Sequence, residues 1–159
     1  PKLNCRLEGF NQFSPKRIIL DRNLEINLKS YIAKSIKNEN TIIFHNSNDQ
    51  SKIKLLKKRG TILIKQSTDK YKNLDLKKIL KDLYKMEIRN LLVEGGDILT
   101  KNFIQKKLFN EFYVFRSSKN LSKNKKHVNF TSFSILNTKY NKHKINSKLA
   151  TDKLTIYKN

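Results

Sequence analysis

A chain of 159 residues, with 37% apolar and 30% charged side chains, is long enough for one domain with a real core. No apolar run approaches the ~20 residues that span a bilayer, so no membrane partner is expected. The single cysteine, Cys5, excludes an internal disulfide and a Cys/His zinc cluster, so no metal is expected. The formal charge of +22 favours anionic ligands and salt-dependent contact with polyanions.

In chain order, Lys16 to Asp21 reads as a buried strand after the Ser14-Pro15 turn. Asn23 to Lys37 holds an irregular segment and a short helix. Thr41-Ile42-Ile43-Phe44 is a second strand. Ser51 to Arg59 is a short helix, with Ser51 placed to cap it and Gly60 to end it. Thr61 to Ile64 is a third strand. Asn73 to Met86 carries Leu74, Leu76, Ile79, Leu80, Leu83 and Tyr84 as a helical stripe. Ile88 to Val93 reads as a strand, and Gly96 to Lys106 as a helix. Glu111 to Phe115 and Lys153 to Tyr157 are late strands. Ser117 to Lys126 reads as a solvated, lysine-rich loop, and Phe130 to Asn146 shows no clean period. His45, His127 and His143 stand in polar surroundings and read as surface residues. Strands alternating with helices imply an α/β domain with a mostly parallel, mixed sheet flanked by helices.

The positive charge does not by itself make a nucleic-acid protein. It is nearly all lysine, spread along the chain, whereas arginine reads phosphate and base edges better. The arginines are only Arg6, Arg17, Arg22, Arg59, Arg89 and Arg116. Lys, Asn and Ile share AT-rich codons, so a biased genome yields this composition without selection for binding. No specific nucleic-acid partner is expected, and a basic nucleic-acid-binding module stands only as an alternative.

The stretch Leu91 to Leu99, Leu-Leu-Val-Glu-Gly-Gly-Asp-Ile-Leu, carries the most chemistry. Glycine occurs only four times in the chain, so two adjacent ones between an apolar run and a helical pattern are unusual. Without a Cβ, Gly95 and Gly96 permit a sharp turn and a close backbone approach. The helix that follows would aim free N–H groups and its positive dipole end at a phosphate. Glu94 would hang at the carboxyl end of the strand, where open α/β sheets place ligands. The spacing is neither a Walker A loop nor a G-x-G-x-x-G fingerprint, and a tight structural connection remains the alternative reading of the pair.

Four blocks, in order, resemble the reductase domain of the bacterial bifunctional riboflavin-biosynthesis deaminase/reductase. Pro1-Lys2-Leu3-Asn4-Cys5-Arg6 is similar to the tail of the family's Asp-Asn-Pro-x-Leu-Thr-x-Arg segment. Pro15 to Arg22 is similar to its Pro-x-Arg-Val-Val-Leu-Asp strand. Leu91 to Leu99 is similar to its Leu-Val-Glu-Gly-Gly-x-x-Leu core, and Leu108 to Phe112 to its Leu-Val-Asp-Glu strand start. Asp152 to Tyr157 looks like the closing strand. Asn110 stands where the family carries aspartate, and Arg116-Ser117-Ser118 replaces its Ala-Pro and glycine.

The resemblance implies a dihydrofolate-reductase-like single domain over residues 1–159 and an NADPH-dependent, cytoplasmic oxidoreductase. The substrate it implies is a phosphorylated pyrimidine, 5-amino-6-(5-phosphoribosylamino)uracil, whose ribosyl group becomes a ribityl chain. By position, Leu3, Arg6 and Glu94 correspond to substrate-binding residues. Arg22, Gly95, Gly96, Asp97, Ile98, Leu99 and Thr100 correspond to cofactor-binding ones. Arg6 suits a phosphate, because a planar guanidinium grips one in bidentate fashion. The start at Pro1, without Met, reads as an N-terminally truncated fragment, with a zinc deaminase domain expected upstream and a homodimer compatible with the reading. A related reductase of the same fold acting on another pterin or pyrimidine is the second enzyme reading.

Overall fold

The computed structural model describes residues 2–36, 40–118, 130–145 and 151–159. They fall into two compact units, Pro1–Arg89 and Asn90–Asn159. Among the described residues, no helix is long and apolar enough to cross a membrane.

In the first unit, β1 (Arg17–Leu20), β2 (Thr41–His45) and β3 (Ile62–Lys65) form a parallel sheet in the order β1-β2-β3. Ile18 sits opposite Ile42, and Ile43 opposite Leu63. All five residues of β2 are buried, as a central parallel strand requires, which explains its unbroken apolar run. The burial continues one residue past that run. His45 is only 3% exposed, so the surface position expected for it is wrong.

Three helices accompany this sheet: α1 (Tyr31–Lys34), α2 (Gln50–Lys58) and α3 (Leu76–Lys85). The cap of α2 is Asp49, whose carboxylate accepts from the Lys52 N–H at 2.9 Å, and not the expected Ser51, which lies inside the helix. Gly60 ends it at φ 92°, a left-handed conformation that costs glycine little. Asp75 caps α3, which buries Leu76, Ile79 and Leu83 at helical spacing. Leu24, Ala33, Ile36, Ile43 and Leu56 make the buried cluster between α1, α2 and the sheet. At the amino end of β1, the buried Arg17 donates to Thr41 Oγ1 at 2.7 Å and Ser35 Oγ at 2.9 Å.

The second unit holds α4 (Asp97–Gln105), β4 (Glu111–Arg116), α5 (Phe133–Lys139), β5 (Asn141–Ile145) and β6 (Lys153–Lys158). Its sheet is antiparallel, in the order β4-β6-β5. Along β4, Phe112 and Val114 are half-buried while Glu111, Tyr113 and Phe115 are exposed, the alternation of a sheet covered on one face. Ile104, Leu136 and Tyr157 form the buried cluster, surrounded by Phe109, Phe112 and Phe130. Tyr140 and Tyr157 bring polar tips into this region and satisfy them, donating to Ile104 O and Asn137 Oδ1, each at 2.7 Å.

Two elements differ from expectation. Residues 88–93 are not a strand: no ladder forms there, and Leu91, Leu92 and Val93 are exposed, Leu92 by 81%. Apolar composition favours a strand only when a neighbour supplies the hydrogen bonds. The region beyond Phe130 carries α5 and β5, which were not expected; every residue of β5 is exposed, so it lacks an alternation to read. The loop expected over Ser117 to Lys126 lies outside the described residues from 119 onward, as does His127. The α/β class stands, one described sheet being parallel and the other antiparallel.

Candidate functional site

The start of α4 presents the most ligand-ready backbone. Gly96 is its N-cap at φ −72° and ψ 175°, and no side chain caps the helix. The first intrahelical bond runs from Thr100 N–H to Gly96 O at 3.1 Å. The N–H groups of Asp97, Ile98 and Leu99 therefore have no acceptor among the described residues. Such a helix end suits an anion, because free donors and the positive end of the dipole coincide.

The two glycines serve different purposes. Neither has a positive φ, so the pair does not make the left-handed turn that its sequence permits. A Cβ on Gly95 would lie 2.7 Å from Leu99 Cδ2 and 3.0 Å from Leu99 Cβ, so this glycine lets the chain pack against its own helix. A Cβ on Gly96 would meet nothing within 4 Å. The space beside Gly96 is open.

Acidic groups flank this helix end. Glu94 is exposed and has no hydrogen-bond partner among the described residues. Asp97 is committed elsewhere, its Oδ1 accepting from Thr131 N–H at 3.2 Å and its Oδ2 from Thr131 Oγ at 3.0 Å. Ile98 is 75% exposed, whereas Leu99 and Thr100 are half-buried. Of the residues expected to bind cofactor, Gly95 to Thr100 thus share one helix start.

Arg22 belongs to the first unit, just past β1. Its Nη1 donates to Lys72 O at 2.5 Å and its Nε to Asn23 Oδ1 at 3.1 Å, leaving the guanidinium exposed but oriented. Leu3 and Arg6 lie ahead of β1 in the same unit. Leu3 is half-buried in a left-handed conformation at φ 54°, and Arg6 is exposed with no hydrogen-bond partner among the described residues. Neither is hydrogen-bonded to Arg22.

The carboxyl ends of the parallel strands gather polar groups that the chain's patterning conceals. His45 ends β2 and faces Lys65 in the register of β3. Its Nδ1 is buried without a partner among the described residues. Burial holds its pKa below the usual 6.5, with Lys65 pushing the same way and the main chain at Ser47 and the charge of Asp21 opposing. A neutral imidazole is the result. Next to it, Asn46 donates to Gln66 O at 2.6 Å, and Gln66 donates to Asp82 Oδ2 at 2.8 Å. The available signal for His45 was its place directly after an apolar strand, at the end where ligands bind in open α/β sheets.

Three comparisons bear on this arrangement. The family model described as the RibD C-terminal domain matches residues 1–148. "Riboflavin biosynthesis protein RibD" of Aquifex aeolicus is 33% identical over 105 residues, covering 66% of this chain and 28% of that protein. The protein of the same description from Actinobacillus pleuropneumoniae is 29% identical over 120 residues, covering 75% of this chain and 31% of its own length. The chain thus spans about a third of the curated relatives it matches. Two solved forms of Acinetobacter baumannii RibD match 99% of the chain and 42% of theirs, with TM-scores of 0.69 and 0.70 at 21% and 20% identity.

Proposed function

The chain belongs to the RibD C-terminal domain family, and from that membership we propose that it is an NADPH-dependent reductase of riboflavin biosynthesis. The substrate is 5-amino-6-(5-phosphoribosylamino)uracil, and residues 1–159 serve as one reductase domain. NADPH supplies a hydride when bound. The anomeric carbon of the sugar gains that hydride, its bond to the ring oxygen breaks, and a proton on that oxygen completes the ribityl chain.

The observation that carries this reading is the uncapped start of α4 with open space before Gly96. Its free N–H groups hold the cofactor diphosphate, and the helix dipole favours the negative charge. Arg22, oriented by Lys72 O and Asn23, adds a cation for the 2′-phosphate. No acid follows a glycine fingerprint to select a ribose hydroxyl, which favours NADPH over NADH. Arg6, whose guanidinium has no hydrogen-bond partner among the described residues, binds the substrate phosphate, and Leu3 lines the same substrate. Glu94 accepts hydrogen bonds from the substrate and orients the sugar carbon toward the hydride donor, a placement on which rate depends steeply.

The test is a single-turnover measurement of NADPH oxidation with excess protein and this pyrimidine, followed by identification of the ribityl product. Formation of one ribityl product per NADPH oxidised supports the assignment. NADPH binding without reduction of this pyrimidine, together with reduction of a different pterin or pyrimidine, would transfer the chain to the related-reductase reading.

A further inference from the structure

At the amino end of the parallel sheet, opposite to Arg22 and His45, lies a concavity of about 390 Å³. Among the described residues, four cations line it, Lys29, Lys34, Lys58 and Arg59, and no acid does. The chain geometry explains the gathering. Lys29 and Lys34 flank the start and end of α1, which leads into β2. Lys58 and Arg59 close α2, which leads into β3. Four residues of strand, at ~3.3 Å each, separate this end of the sheet from the end that carries Arg22.

Arg59 is the organised member. It is half-buried, and its Nη1 donates to Leu28 O at 3.0 Å and to Ala33 O at 3.3 Å. Those two acceptors fix the guanidinium plane, but they are neutral carbonyls and leave the charge uncompensated. A guanidinium has five N–H donors. The Nε edge and Nη2 have no acceptor among the described residues. That edge is the fork that grips a phosphate through two parallel hydrogen bonds, and here its orientation is settled before a ligand arrives.

We propose that this concavity is a second anion site, built for a phosphate or diphosphate group held on the free edge of Arg59 and neutralised by Lys29, Lys34 and Lys58. Bridging main-chain carbonyls accounts for Nη1 alone; it accounts neither for the edge that has no acceptor among the described residues nor for three lysines gathered beside it. The carboxyl end of α2 opposes an anion with roughly half a charge, set against four full cations. Its last carbonyls are also occupied, by the N–H groups of Arg59, Gly60 and Thr61. The size and lining choose the ligand class. Among the described residues, no aromatic side chain lines the concavity to stack a base, as single-stranded nucleic acid requires, and the volume suits a small phosphorylated molecule. Ala33 and Ile36, almost wholly buried, supply the apolar part of its lining.

The probe is inorganic pyrophosphate, titrated at 0.1 M salt and followed by calorimetry and by amide chemical shifts. Saturable shifts concentrated in residues 28–36 and 57–61 support the site. Arg59→Lys, which keeps the charge and removes the fork, is expected to weaken binding at least tenfold. The double variant K34Q/K58Q is expected to weaken it about fivefold, and K142Q/K144Q, on exposed β5, less than twofold. Unchanged affinity in folded Arg59→Lys would overturn the proposal, since it would reduce the effect to general charge attraction. Shifts confined to residues 95–100, or spread evenly over surface lysines, would also overturn it. Should Arg59→Lys lose its fold with the carbonyl clamp, the shift map and K34Q/K58Q decide the matter by the same thresholds.

Discussion

The carboxylate of Asp97 holds Thr131 by both its main-chain N–H and its hydroxyl, at 3.2 and 3.0 Å, thereby tying the first turn of α4 to the residue two places before α5. An acid at this end also favours the helix dipole. Asp97→Ala is therefore expected to cost on the order of 1 kcal/mol, since hydrogen bonds near solvent are worth less than buried ones. Thr131→Ala, which keeps the N–H, should cost about half as much. The double variant should lose no more than Asp97→Ala alone, because the interaction is shared. Denaturant titration of the four proteins checks this, and strictly additive losses would show that the two residues act independently.

The neighbouring glycines separate packing from binding. Gly95→Ala presses a methyl group onto Leu99 and should destabilise by about 1–3 kcal/mol, the usual range for overpacking. A Cβ at Gly96 meets nothing within 4 Å, so Gly96→Val should leave the far-ultraviolet spectrum intact while weakening NADPH binding strongly. Unchanged NADPH affinity in a folded Gly96→Val protein would move the cofactor site away from α4.

Arg22 gives a prediction about cofactor choice. Loss of one oriented cation on a phosphate is worth roughly 1.5–3 kcal/mol, or about ten- to hundredfold in affinity. Arg22→Gln is expected to raise the dissociation constant for NADPH by about tenfold and to leave that for NADH nearly unchanged. Parallel titrations at moderate salt test it, and equal affinity of the unaltered protein for the two cofactors would remove its basis.

His45 predicts an acid sensitivity. Its folded pKa lies below the unfolded value, so the unfolded chain binds the proton first. Stability is then complete above about pH 6.5 and declines as pH falls toward the folded value, by at most ~1.4 kcal/mol per pH unit. His45→Gln should flatten that part of the profile. Melting temperatures of both proteins between pH 5 and 8 make the comparison, and identical slopes would assign the acid response to other groups.

What the chain shows without coordinates follows from how local each signal is. The parallel strands are legible because Arg17–Leu20, Thr41–His45 and Ile62–Lys65 are β-rich apolar runs bounded by turn residues. The helix stripe of Leu76, Ile79 and Leu83 is equally local. Asp49 was missed as a cap because Ser51 offers the same chemistry two residues later, and only the backbone distinguishes them. Burial of His45 depends on β2 being the middle strand, a fact of topology. The polar groups of Gln66 and Asp82, joined across 16 residues, carry no pattern along the chain. The glycine pair was legible as the start of a helix, whereas the division of labour between Gly95 and Gly96 needed the position of Leu99.

The exposed Leu91-Leu92-Val93 stretch has a colloidal consequence. Among the described residues, no main-chain hydrogen bond runs to or from residues 90–95, and three apolar side chains meet solvent beside those open groups. Such a segment is a template on which another extended chain can add, through main-chain pairing and apolar contact together. Its amides should exchange with deuterium within seconds, while those of β2 stay protected. The high net charge slows self-association by repulsion, so salt that screens it should bring on turbidity. A charge placed in the stretch, as in Leu92→Asp, should raise the salt concentration at which the protein clouds, without altering its melting temperature.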